Sequence, residues 1–137
     1  MFMCGMNAVR SPMAEMLARR ILPSDIFISS AGVHAGERDP FVDVVLEEEG
    51  LSLGDREPRA VDDIDDAYFD LIITLSPQAH HTAMEFTRTM AVEVEYWPTF
   101  DPTSITGTRE QRLAAYREVR DHLKERIAKR FTGPDNP

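Results

Sequence analysis

The sequence predicts a single-domain α/β fold, a doubly wound parallel sheet with helices on both faces. Apolar segments of strand length alternate with longer segments whose apolar residues recur at helical spacing. A polar residue followed by proline stands at three helix starts, as Ser11-Pro12, Asp39-Pro40 and Ser76-Pro77. The polar side chain caps the helix, and proline suits the first helical position because its missing N–H would be unpaired there. This alternation is typical of parallel sheets, whose ligands bind beyond the carboxyl ends of the strands.

Four segments are predicted as strands, at residues 2–4, 26–30, 70–75 and 91–97. The first is short, because only three residues precede Cys4, whereas a strand usually has about five or six. Either this strand is short, or the true start codon lies upstream.

Four helices are predicted, beginning at Pro12, Pro40 and Pro77 and after Thr108, and the second of them ends at Gly50. The last helix has the clearest pattern. Thr108 and Gln111 have the spacing of a capping box. Apolar residues then recur every three or four positions, at Leu113, Tyr116, Val119, Leu123 and Ile127.

Length and composition place the chain among ordinary globular proteins. Residues 1–131 are predicted as one domain and residues 132–137, with two prolines, as a frayed tail. The net charge of −9 argues against a nucleic-acid-binding surface. No apolar run approaches the roughly 20 residues that span a membrane, so we expect a cytoplasmic protein without a membrane partner. The single cysteine excludes an intramolecular disulfide and a zinc site of several thiolates.

The stretch from Cys4 to Pro12 has the residues of an oxyanion site. It joins the first strand to a helix whose positive N-terminus favours negative charge. The thiolate of Cys4 is a nucleophile, and the planar fork of Arg10 binds two oxygens of a tetrahedral anion. Gly5 and Asn7 suit a tight loop because both tolerate left-handed backbone angles. Ser11 offers a hydroxyl to the sulfur, and Asn7 is placed to hydrogen-bond Ser30.

A thiol-phosphate intermediate also needs an acid to protonate the leaving group. Asp101 is the best candidate, since it follows the fourth predicted strand and thus shares a rim with Cys4. The alternatives are a turn-forming Asp101 and a structural Cys4 at a strand end. The acidic run of Asp62, Asp63, Asp65 and Asp66 is interpreted as a solvated loop or helix start. The adjacent His80 and His81 are interpreted as solvent-facing or packing residues.

Phe2 to Glu15, with Ser30-Ala31-Gly32, Phe69 to Ile73 and Asp101-Pro102 in order, resembles the low-molecular-weight protein tyrosine phosphatases. The thioredoxin-linked arsenate reductases share that fold. The resemblance implies a four-stranded sheet of order 2-1-3-4 and no metal or organic cofactor. It implies Cys4 as nucleophile, Arg10 as phosphate clamp and Asp101 as general acid. The phosphate-binding loop would then comprise Gly5, Met6, Asn7, Ala8, Val9, Arg10 and Ser11, supported by Asn7, Ser11 and Ser30.

The sequence departs from the pattern of that family in three respects. Met6 stands where the family usually has glycine, which predicts a different backbone path or a strained Met6. Val9 replaces a second cysteine that often forms a protective disulfide, so peroxide could oxidise Cys4 further. Thr103 and Ser104 follow Asp101-Pro102 where aromatic residues commonly flank a phenyl ring, and residues 33–38 lack the aromatic of the opposite wall. These differences weaken the expectation that phosphotyrosine is the substrate.

Three functions therefore remain open from the sequence. The first is a phosphomonoester hydrolase that acts on a phosphorylated protein or a small phosphomonoester through a phosphocysteine. The second is an arsenate reductase that uses an external thiol, because this chain has no further cysteine to pass a disulfide along. The third is a non-catalytic module that binds an oxyanion or a partner on the same loop.

Overall fold

The computed structural model describes residues 1–64 and 69–132. Within them, one four-stranded parallel sheet has the order β2-β1-β3-β4, which confirms the predicted fold class. The strands are β1 (Phe2–Cys4), β2 (Ser30–Gly32), β3 (Leu71–Thr74) and β4 (Glu93–Tyr96).

Helices cover both faces of the sheet. They are α1 (Arg10–Ile21), α2 (Pro40–Glu47), α3 (Pro77–Phe86) and α4 (Arg109–Thr132). The helices α1, α2 and α4 pack together on one face, and α3 packs on β1, β3 and β4. Each face has its own apolar cluster, and β1 contributes to both because its side chains alternate: Phe2 and Cys4 belong to the larger cluster and Met3 to the smaller one.

The predicted caps are present at three of the four helices. The Asp39 side chain accepts a hydrogen bond from the Phe41 N–H, and the Ser76 hydroxyl accepts one from the Ala79 N–H. Thr108 and Gln111 exchange both bonds of a capping box. The local sequence therefore decides where α2, α3 and α4 begin.

The prediction for the start of α1 is wrong. The helix begins at Arg10, ahead of the expected Pro12, and its N-cap residue Val9 makes no side-chain cap bond. The Ser11 hydroxyl is unavailable as a cap because it is bonded to Cys4 and Asn7 instead. The loop thus uses this side chain for the site, and α1 starts without a polar cap.

The second strand also lies elsewhere than predicted. It comprises Ser30–Gly32 instead of residues 26–30. Phe27, which has high strand propensity, is 74% exposed and stacks on Phe69 outside the sheet. The three small residues of β2 are buried, and a Cβ on Gly32 would come within 2.6 Å of the Asn7 backbone nitrogen. Burial therefore overrides intrinsic propensity at this strand.

The remaining expectations have mixed outcomes. The first strand is indeed only three residues long, and β4 is shorter at both ends than residues 91–97. Asp62 and Asp63 lie in a 3₁₀ turn, whereas Asp65 and Asp66 lie outside the described residues. His80 is a packing residue that stacks on Tyr96.

The C-terminal end of the described chain is helical. Thr132, the first residue of the predicted tail, is the last residue of α4, and residues 133–137 lie outside the described part. None of the helices described here combines the length and hydropathy needed to span a membrane.

Candidate active site

The loop of residues 5–9 joins β1 to α1 at the carboxyl edge of the sheet. In the described part of the chain, the backbone N–H groups of residues 5–9 donate no hydrogen bond to any protein group. Unpaired N–H groups are rare in buried segments, yet Gly5, Asn7 and Val9 are buried. Free donors beside the N-terminus of α1 form a site suited to an anion.

Asn7 sets the shape of this loop. Its φ of 52° is the one positive value among the described non-glycine residues. The side-chain amide donates to the Ser11 hydroxyl at 2.8 Å and to the Ser30 hydroxyl at 3.0 Å, and its oxygen accepts from the Arg59 N–H. The predicted bond from Asn7 to Ser30 is thus present. Gly5, in contrast, has no left-handed backbone angle.

The thiol of Cys4 lies at the inner end of these bonds. Cys4 is 2% exposed, and its Sγ is 3.0 Å from the Ser11 hydroxyl oxygen. Because that oxygen accepts a bond from Asn7, the hydroxyl proton of Ser11 is free to point at the sulfur. Its other acceptor, the Ala31 carbonyl, is farther away at 3.5 Å. The Ser11 hydroxyl is therefore placed to donate a hydrogen bond to the Cys4 sulfur.

Glu15 is a residue of this site that the sequence analysis missed. Its carboxylate is fully buried on α1 and accepts a hydrogen bond from the Ser30 hydroxyl at 2.7 Å. Arg19 is 3.0 Å away, and Arg56 forms a second ion pair with the same carboxylate. The carboxylate thus orients Ser30, which accepts from Asn7. The available signal was the spacing, since Glu15 is one helical turn after Ser11 and on the same face.

Arg10 and Asp101 meet at the outer side of the loop. Arg10 donates to the Thr99 carbonyl at 3.1 Å, and its Nη2 is 3.9 Å from Asp101 Oδ2. The other carboxylate oxygen, Oδ1, accepts bonds from the N–H and hydroxyl of Thr103. Asp101 therefore caps the 3₁₀ turn Pro102–Ser104 and also faces Arg10. Asp101 thus forms a turn, as one alternative expected, and also lies on the rim beside Arg10.

Met6 lies on the rim without a positive φ, so of the two expected alternatives the strained Met6 is not observed. Its side chain is 49% exposed. Gly36 makes room for it, because a Cβ on that glycine would come within 2.8 Å of the Met6 Cβ. The backbone of Gly36 donates to the Met6 carbonyl at 2.8 Å. A close backbone approach at Gly36 thus accommodates methionine where the related pattern has glycine.

An aromatic side chain is present at the rim, although none follows Asp101-Pro102. Phe100 directly precedes Asp101 and is 55% exposed. Phe100 was not among the predicted site residues, because aromatic residues were sought after Asp101. Ala8 is half-buried and Val9 is buried against the larger apolar cluster. Across the described residues, no group of three His, Cys, Asp or Glu side chains is placed to hold a metal ion.

The model of the low-molecular-weight phosphotyrosine protein phosphatase family matches residues 1–132. The chain belongs to this family. The predicted resemblance is confirmed, and members of the family and its arsenate reductase relatives are cysteine-dependent enzymes. This chain is therefore a cysteine-dependent enzyme with the low-molecular-weight phosphatase fold.

The relatives of this chain fall into two groups. An arsenate reductase from Bacillus licheniformis is 34% identical, covering 95% of this chain and 91% of the relative. A glutaredoxin arsenate reductase from Synechocystis is 27% identical, over 93% of this chain and 91% of the relative. The solved low-molecular-weight protein tyrosine phosphatase of T. tengcongensis superimposes with a TM-score of 0.76, at 23% identity and 93% coverage of both chains. Similarity therefore leaves the choice between phosphatase and reductase open.

Proposed function

We propose that this protein hydrolyses phosphomonoesters through a phosphocysteine formed on Cys4. The observation that carries the proposal is that Cys4 is the only cysteine in the chain. Hydrolysis needs one thiol, which is regenerated in each cycle. Reduction of arsenate to arsenite needs two electrons, and two thiols supply them by forming a disulfide. This chain contains one half of that pair.

The first step transfers the phosphoryl group to sulfur. Cys4 Sγ attacks phosphorus while the bond from phosphorus to the ester oxygen breaks, and the proton of Asp101 passes to that oxygen. The fork of Arg10 and the free N–H groups of residues 5–9 hold the remaining phosphate oxygens. These donors are in place before the reaction, so little reorganisation is needed.

The second step returns the enzyme to its starting state. The Asp101 carboxylate takes a proton from water, whose oxygen attacks phosphorus as the bond to sulfur breaks. The departing sulfur leaves as a thiolate 3.0 Å from the Ser11 hydroxyl, which donates a hydrogen bond to it. Inorganic phosphate and free Cys4 are the products, and Asp101 is again protonated.

The substrate is a phosphorylated protein or a small phosphomonoester, and the domain of residues 1–131 carries the whole reaction. No cofactor enters either step. We place the reaction in the cytoplasm because a catalytic thiol must remain reduced, and that compartment maintains free thiols. The Cys4 thiol also lacks a neighbouring cysteine that could protect it as a disulfide.

An arsenate reductase with an external thiol is the second candidate, favoured by the names of the curated relatives. Cys4 would displace a hydroxide from arsenate to form a thiol–arsenate adduct. An external thiol would attack the Cys4 sulfur, which releases arsenite and leaves a mixed disulfide, and a second external thiol would reduce that disulfide. The name of the Synechocystis relative includes glutaredoxin, so a glutathione–glutaredoxin system is the reductant to test. A non-catalytic oxyanion- or partner-binding module is the third candidate.

The role of Asp101 is tested with aryl phosphates whose leaving groups range from good to poor. Asp101→Asn should slow the poor leaving groups much more than the good ones, because only the poor ones need the proton. Asp39→Asn is the matched control, since Asp39 also precedes proline and caps a helix. We expect this control to lower stability without changing the leaving-group dependence. Equal losses on all substrates in Asp101→Asn would exclude the assigned role.

The choice between the three functions needs one further comparison. Purified protein is assayed for aryl phosphate turnover, and separately for arsenite release with glutathione and glutaredoxin. Phosphate turnover that Cys4→Ala abolishes excludes the non-catalytic module. Arsenite release that depends on the thiols and on Cys4, without phosphate turnover, would replace the hydrolase by the reductase.

A further inference from the structure

Two arginines in the first turn of α4 lie over the ring of Phe41. The Cζ atom of Arg112 is 4.7 Å from the ring centroid, and that of Arg109 is 5.8 Å away. Both side chains are exposed. Across residues 1–64 and 69–132, neither forms an ion pair, whereas most arginines there do. Their donor groups are therefore available to a ligand.

The position of these arginines is unfavourable for the helix itself. The N-terminus of a helix carries a partial positive charge, so cations in the first turn are disfavoured there and acidic residues are preferred. Glu110 is the acidic residue of this turn, and Arg109 and Arg112 oppose it. Residues that break a local rule tend to mark functional sites.

The segment that precedes Phe41 in the chain is hydrogen-bonded to the phosphate-binding loop. The N–H groups of Val33 and His34 donate to the carbonyls of Cys4 and Gly5, at 3.1 Å and 2.9 Å. The same segment continues to Asp39 and Phe41. The two arginines are thus stacked on the first turn of α2, which follows the segment that borders the loop.

Tyr116 ties this wall to α4 and to the side of Asp101. Its hydroxyl donates to Asp39 Oδ2 at 2.6 Å, and its ring packs edge-on against Phe41. Burial raises the pKa of Tyr116, as does the bond to Asp39, while the charge of Arg112 lowers it and that of Asp101 raises it slightly. The turn after Asp101 packs on α4. The arginine pair and the proposed acid therefore lie around one buried tyrosine.

We propose that Arg109 and Arg112 form a subsite for a carboxylate next to the phosphorylated residue of an acidic phosphopeptide. The inference rests on the proposed hydrolase function and names its substrate class. Planar guanidinium groups bind carboxylates through paired hydrogen bonds. Stacking on Phe41 holds both groups in place before the substrate arrives. Because the chain has a net charge of −9, an acidic substrate needs such a local positive surface to approach.

The test compares two phosphotyrosyl peptides of equal length, one with glutamate and one with glutamine beside the phosphorylated residue. The double variant Arg109→Gln with Arg112→Gln should lower kcat/KM for the glutamate peptide by about five- to tenfold, the scale of two exposed charge pairs. The glutamine peptide and p-nitrophenyl phosphate should change less than about twofold, because they make no contact that depends on this charge.

Arg126→Gln is the matched control. Arg126 is exposed on the same helix and stacks on Trp97 at 5.0 Å. Arg126 lies about 21 Å from Arg112 along the helix axis, at 1.5 Å per residue. We expect the same preference for the glutamate peptide in this variant as in the unmodified protein. A loss as large as that of the double variant would assign the effect to net charge and overturn the subsite.

Two further results separate the subsite from the function on which it rests. Equal losses on both peptides in the double variant, or no preference in the unmodified protein, overturn the subsite. Absence of p-nitrophenyl phosphate turnover overturns the hydrolase function. In that case fluorescence anisotropy of the two labelled peptides decides the subsite. Tighter binding of the glutamate peptide that the double variant loses supports it, and equal binding rejects it.

Discussion

The inner and outer sides of the proposed phosphate-binding loop differ in how firmly they are held. On the inner side, Asn7, Ser11, Ser30 and Glu15 are all buried and joined by hydrogen bonds of 2.7–3.0 Å. On the outer side, Met6 and Phe100 are about half exposed, and Asp101 approaches Arg10 only to 3.9 Å.

This difference separates two tasks of the site. The inner network fixes the donors that face the sulfur and the anion, and such preorganisation is what transition-state stabilisation requires. We expect the outer residues, which are half exposed, to face the group that carries the phosphate. We infer that the reaction type is set by the buried side and the substrate range by the exposed side.

The largest expected effect is a loss of stability when the buried Glu15 carboxylate is replaced. Glu15→Gln should lower the free energy of unfolding by about 3 kcal/mol, because it breaks a buried ion pair and leaves Arg56 without its partner. Denaturant unfolding measures the change. The kcat for aryl phosphates should fall as well, since the orientation of Ser30 depends on the carboxylate.

Glu48→Gln is the control for this prediction. Glu48 also pairs with two arginines, Arg117 and Arg120, but its carboxylate side chain is 36% exposed, whereas that of Glu15 is fully buried. Exposed pairs contribute about 0–1 kcal/mol, so this variant should change little. Equal destabilisation by the two variants would contradict the expected effect of burial on the Glu15 ion pair.

An intermediate effect is expected at Asn7, where backbone and side-chain contributions can be separated. Asn7→Ala and Asn7→Gly both remove the amide, but only glycine adopts the φ of 52° without strain. We expect the alanine variant to be less stable than the glycine variant by about 1 kcal/mol, measured by denaturant unfolding. The opposite order, usual in regular structure, would mean that the loop relaxes to another backbone angle.

The smallest stability effect is expected at the rim. Phe100→Ala should change the free energy of unfolding by less than about 0.5 kcal/mol, because the ring is more than half exposed. The KM for aryl phosphates should rise a few-fold, with kcat little changed. Phe27→Ala removes another exposed ring, which lies beside Met1 and Leu71 at the amino end of the sheet, and should leave KM unchanged. A fall in kcat at Phe100→Ala would mean that Phe100 contributes to the chemical step and not to substrate recognition alone.

The sequence predicted the features that depend on neighbouring residues. The capping box of Thr108 and Gln111 is local in the chain, and so are the caps at Asp39 and Ser76. The meeting of Cys4 with Ser11 follows from a short loop between a strand and a helix. These contacts need few distant residues, so a sequence pattern suffices to predict them.

Apart from the Asn7–Ser30 hydrogen bond, features that depend on tertiary contacts were missed or misplaced. Glu15 is paired with Arg56, which is 41 residues away in the sequence, and helical spacing alone does not identify that partner. Ile26 and Phe27 have strand propensity, yet the buried residues Ser30–Gly32 form β2, where a Cβ on Gly32 would meet the backbone of Asn7. Ser11 was expected to cap α1, but the site uses its hydroxyl.

Trapping the covalent intermediate tests the central proposal most directly. The protein is mixed with an aryl phosphate, quenched in acid within a single turnover and digested, and the peptide that contains Cys4 is weighed by mass spectrometry. We predict a mass increase of one phosphoryl group on that peptide, lost in Cys4→Ala together with turnover. Turnover without this adduct, or turnover that persists in Cys4→Ala, would contradict a phosphocysteine mechanism.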